Sequence, residues 1–122
     1  MLTLNATKAA LKEGIVPGGG VALLNASQNL TADAVGEKIL MEAIRAPFDT
    51  ILENAGLEQI GPRPSKGLGV DVVTGKEVDM IKSGIIDPVL VTKSALKNAV
   101  SVVSTIISAD CVISNIRINE SN

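Results

Sequence analysis

Three consecutive glycines, Gly18-Gly19-Gly20, stand directly before the apolar run Val21-Ala22-Leu23-Leu24. Glycine lets a backbone come close to a ligand, and the unpaired N–H groups of a first helical turn favour acceptor atoms. Contact with a nucleotide is the chemistry this junction could support. A flexible turn between two helices is the plainer account, and the run is neither a Walker loop nor a dinucleotide fingerprint. A second candidate is Ile85-Ile86-Asp87-Pro88. A carboxylate beside an apolar residue can bond ribose hydroxyls while its neighbour packs on a base. Asp87 also reads as a helix N-cap with Pro88 at N1, and the two roles are compatible. The third is Gly69-Val70-Asp71-Val72-Val73, either a strand edge near a binding site or an ordinary hairpin strand. Glu37, Glu42 and Arg45 fall on a long helical pattern and read as a solvated or inter-subunit face, with no catalytic role.

Composition removes other chemistries. The 122 residues contain no His, Trp or Tyr, one Cys and one Phe. Without His there is no conventional Ser-His-Asp catalysis and no His-based metal site. No nucleophile–base pair is visible, so a small enzyme of unrelated chemistry has little support. Cys111 cannot form an internal disulfide, which fits a reducing compartment. A net charge of −2 offers no basic face, and no aromatics are available to stack on bases, so nucleic acid is not an expected partner. No continuous apolar run approaches the roughly 20 residues that span a bilayer, so no membrane is expected either. The chain opens Met1-Leu2-Thr3 and passes straight into an amphipathic pattern without signal-peptide features. Such a start suggests a piece of something longer.

The elements that must position these candidates are mostly helical. Hydrophobic residues make up 46% of the chain, nearly all Ala, Val, Ile and Leu, which suits closely approaching helices. Residues 3–13 read as a helix stopped by Gly14. Residues 29–34 are polar and loop-like. A long helical pattern covers 34–54, with Pro47 inside it to kink or divide it. Residues 57–69 hold Gly61, Pro62, Pro64, Gly67 and Gly69 and read as a loop. Residues 70–78 form a small hairpin around Thr74-Gly75, and 79–83 a helical turn ended by Gly84. The last helix runs from Asp87-Pro88 to about Ser108, with Val91, Ala95, Leu96, Ala99, Val102, Val103, Ile106 and Ile107 on one broad face. So many β-branched residues weaken its intrinsic preference, so burial must stabilise it, and it reads as a central core helix. Residues 111–116 read as a final strand whose partner is the hairpin or another chain. The predicted class is mainly α, with a small β hairpin and a terminal strand.

In this order the segments resemble group I (GroEL-type) chaperonins. Residues 5–20, NATKAALKEGIVPGGG, resemble the family's passage from the intermediate domain back into the equatorial domain. Gly84-Ile85-Ile86-Asp87-Pro88 and Val91-Thr92-Lys93-Ser94-Ala95-Leu96 resemble a second family motif. Residues 99–107 and 109–113 resemble the last long helix and last strand. The resemblance implies that 1–14 end the intermediate-domain connection and 15–122 are the C-terminal part of the ATP-binding equatorial domain, about half of it.

The cofactor implied is ATP, with Mg2+ held by the family's N-terminal half, which this sequence does not contain. Gly18 and Gly19 would lie against the nucleotide, Ile85 would pack on adenine, Asp87 would bind ribose, and Asp71, Val72 and Val73 would flank the base. The family usually has Asn-Ala-Ala at those last three positions; Asp71 loses an amide donor and adds charge. The catalytic Asp should fall near residue 2, where Leu2 has no lone pair to orient a water. No catalytic or metal-ligating residue is therefore assigned, and the chain alone is expected to be inactive as an ATPase. The loop at 57–69 is shorter than usual, and the Gly-Met-rich tail of many relatives is missing. The implied partners are identical subunits in heptameric rings, a GroES-type co-chaperonin and unfolded protein clients. The implied location is the bacterial cytoplasm, with a mitochondrial matrix or plastid stroma as the alternative. Leu2 and Asp71 favour a different function, a truncated or degenerate helical interaction module that never handles ATP.

Overall fold

The computed structural model describes residues 2–57, 64–109 and 113. Among them the order is α1 (Leu2–Glu13), β1 (Ile15–Pro17), α2 (Val21–Gln28), α3 (Val35–Ala43), α4 (Ala46–Asn54), β2 (Leu68–Asp71), β3 (Lys76–Asp79), β4 (Ile86–Pro88) and α5 (Val89–Ile107). The class is mainly α, as the composition predicts. Pro47 divides the 34–54 pattern into α3 and α4. It sits in the first turn of α4, where a missing N–H breaks no intrahelical bond.

The strands form two antiparallel pairs. β2 and β3 make the expected hairpin, with Leu68 opposite Asp79 and Asp71 opposite Lys76. Gly75, at φ 68°, supplies the left-handed residue its turn needs. The other pair was not legible from local pattern: β1 lies against β4, with Ile15 opposite Pro88, Val16 opposite Asp87 and Pro17 opposite Ile86.

Asp87 therefore does not cap a helix. Its backbone is held extended by pairing with Val16, so the helix starts later, at Val89, with Pro88 as an N-cap lacking a side-chain bond. The strand expected over 111–116 lies outside the described residues apart from Ile113, which is exposed and in no strand.

The core is small. Val21, Leu24, Phe48, Leu52 and Met80 form its buried cluster, and Leu57, Val70, Val78 and Ile85 pack against it. It joins α2, α4, the β2–β3 hairpin and the turn before β4. Phe48, the one aromatic residue, is its largest member.

α5 corrects one expectation. It is not a core helix: none of its residues is buried, and Val102 and Ile107 are 59% and 78% exposed. Among the described residues α1 and β4 are its main packing partners, and much of its surface stays exposed. By length and average composition alone its 19 residues could cross a membrane. Lys93, Lys97 and scattered Ser and Thr interrupt any continuous apolar run, while the average stays apolar.

α3 begins without a capping side chain, because its N-cap is Ala34. Glu37 compensates: its Oε2 accepts from the backbone N–H of Asp33 at 2.9 Å and of Ala34 at 3.0 Å. These bonds, that from Ala34 foremost, hold the Glu37 carboxyl below the usual carboxylate range.

Two outcomes follow for urea unfolding of the whole chain. Phe48→Ala lowers stability by about 3–5 kcal/mol, because a large buried ring is replaced by a cavity. Glu37 contributes stability above its unfolded-state pKa, and this is lost as pH falls through the depressed folded-state value. Glu37→Gln therefore flattens the loss of stability on acidification; an unchanged acid limb would contradict the double acceptor role.

Candidate functional site

The site is built where the chain leaves α1. Gly14, at φ 88°, ends that helix, with its N–H donating to the Ala10 carbonyl at 2.8 Å. Its own carbonyl accepts from Val89 N–H at 3.1 Å, so the end of α1 is tied to the start of α5. β1 then runs along β4. The ladder is extended by Gly18 N–H, which donates to the Ile85 carbonyl at 2.9 Å. Ile85 N–H in turn donates to the Met80 carbonyl at 2.8 Å, closing the turn that contains Gly84.

Each of the three consecutive glycines has a packing reason to be glycine. A Cβ on Gly18 would stand 3.2 Å from the Ile85–Ile86 peptide. One on Gly19 would stand 2.8 Å from Met80 Cε, and one on Gly20 2.7 Å from Phe48 N. Gly19 and Gly20 also have φ of 68° and 77°, where other residues are strained. Gly20 caps α2, whose first-turn N–H groups include those that any helix leaves without an intrahelical partner.

The structure brings Gly18, Gly19, Ile85 and Asp87 together on one backbone junction. Ile85 is half-buried against the core, while Asp87 is exposed and opposite Val16. Asp71, Val72 and Val73 lie elsewhere, at the turn of the β2–β3 hairpin. The Asp71 carboxylate closes that turn: Oδ1 accepts from Val73 N–H at 2.9 Å and Oδ2 from the Thr74 hydroxyl at 3.0 Å. Val73 is 90% exposed beyond it. The base of the hairpin shares the core with Ile85 and meets Gly19 through Met80, which lies against both Gly69 and Gly19.

Some contributors carried no sequence signal. Met80 is fully buried beneath both Gly19 and Gly69, yet in the sequence it lies in a short turn segment, 79–83, with no periodic apolar pattern. Lys93 Nζ donates to Glu13 Oε2 at 2.8 Å, joining α5 to α1 across 80 residues. Both side chains are partly exposed, so the pair is worth ~0–1 kcal/mol. Arg45, read as part of a solvated face, is half-buried, its Nε without a hydrogen-bond partner among the described residues.

Chemically, the junction offers an acceptor carboxylate, an apolar neighbour and helix N–H groups. Among the described residues no three His, Cys, Asp or Glu side chains come together as metal ligands.

Residues 3–117 match the TCP-1/cpn60 chaperonin family. The chain belongs to that family. Two curated members of this chaperonin family, "Chaperonin CPN60, mitochondrial" of Brassica napus and "Chaperonin CPN60-like 1, mitochondrial" of Arabidopsis thaliana, are each 45% identical over 130 aligned residues. Each alignment covers 96% of this chain and 22% of the relative, so the chain spans about a fifth of the length of these chaperonins. Among solved structures, a group III chaperonin in the open state matches with a TM-score of 0.72 and 32% identity, over 86% of this chain and 25% of that one.

In this chaperonin segment, Gly18→Ala forces the Ile85–Ile86 peptide away from β1. The expected result is a loss of roughly 1–3 kcal/mol in stability. Amide exchange at Val89 should also quicken as the β1–β4 junction loosens. Unchanged exchange there would show that the close approach does not hold the junction together.

Proposed function

We propose that the chain contributes the nucleoside-gripping half of an ATP site in a chaperonin subunit that assists protein folding. The observation that carries this reading is the β1–β4 pairing: Val16 opposite Asp87, with Gly18 N–H on the Ile85 carbonyl, sets glycine turn, apolar side chain and carboxylate side by side. Family membership supports the protein-folding role. Asp87 would accept hydrogen bonds from ribose hydroxyls, Ile85 would cover one face of adenine, and the N-terminal turn of α2 would favour phosphate oxygens. Gly18 and Gly19 would bring the backbone close to the nucleotide. Asp71 would act through its turn, placing Val72 and Val73.

The phosphate loop, the metal ligands and the water-activating carboxylate would come from the remainder of the subunit. Bound Mg2+ would neutralise phosphate charge there. ATP binding would draw α1 toward the nucleotide about Gly14, and that motion would pass to the client-binding part of the ring. Heptameric rings, a GroES-type co-chaperonin and unfolded protein clients belong to the same reading. Both plant relatives are named as mitochondrial proteins, which favours a mitochondrial location over the bacterial cytoplasm expected from sequence.

A second reading, a helical interaction module without ATP handling, is favoured by Asp71, whose carboxylate is taken up by its own turn, and by the exposed apolar sides of α5. Titration with a fluorescent adenine nucleotide distinguishes the two. The chain would be tested alone and joined to the N-terminal portion of the Brassica napus relative. Binding by the joined form, weakened about tenfold or more by Asp87→Ala through loss of a charged acceptor worth ~1.5–3 kcal/mol, supports the ATP site. No binding in either form leaves the interaction module. Vigorous metal-dependent hydrolysis by the chain alone would contradict the division of labour proposed here.

A further inference from the structure

We draw no further inference here: the strongest candidate, the exposed apolar surface of helix α5 around Val102, Val103 and Ile106, carries nothing because nothing in the structure shows what covers it.

Discussion

The close approach of residues 18–20 to three other segments organises this molecule. Gly18 lies against the Ile85–Ile86 peptide, Gly19 against Met80 and Gly20 against Phe48. A side chain at Gly20 would run into the Phe48 backbone and one at Gly18 would press on the Ile85–Ile86 peptide, while at Gly19 it would meet the flexible end of Met80. With glycine there, β1 can pair with β4, α2 can start within the core, and α4 can pack beside it. The cost is entropic, since glycine loses more backbone freedom on ordering than any other residue. Burial of Val21, Leu24, Phe48, Leu52 and Met80 offsets it, at ~1.5–3 kcal/mol for each large apolar side chain removed from water.

The same close approach changes what the glycines mean. Read as a local motif, three glycines before a helix suggest room for a ligand. In the fold they are already justified by contacts with the chain itself. Their functional weight comes instead from where they put the backbone, beside Ile85 and Asp87. The two aspartates divide in a similar way. Asp71 is spent holding a hairpin turn. Asp87 sits in a short extended pair, opposite Val16, with no helix to cap. Two carboxylates that the sequence offered as ligand contacts thus have different local duties, set by their backbones.

α5 shows how far the described chain falls short of satisfying its own composition. Val, Ile, Thr and Ser are poor helix formers in isolation, and most helical stability comes from packing an apolar face. α1 supplies part of that packing, helped by the Gly14–Val89 hydrogen bond and the Glu13–Lys93 pair. The rest of the surface stays exposed. The chain spans about a fifth of the length of its chaperonin relatives.

By itself the sequence determined the helical class, the division at Pro47, the hairpin near 70–78 and the family, because each rests on local spacing or on ordered motifs. It also named the junction residues Gly18, Gly19, Ile85 and Asp87. Only the tertiary structure decided that β1 and β4 pair, that Asp87 is a strand residue and not a cap, that Met80 is a core residue, and that α5 lies exposed. Those outcomes depend on contacts between residues tens of positions apart. A backbone's partner across such a distance leaves no periodicity in the chain, and the burial of a helix depends on what else is present to cover it.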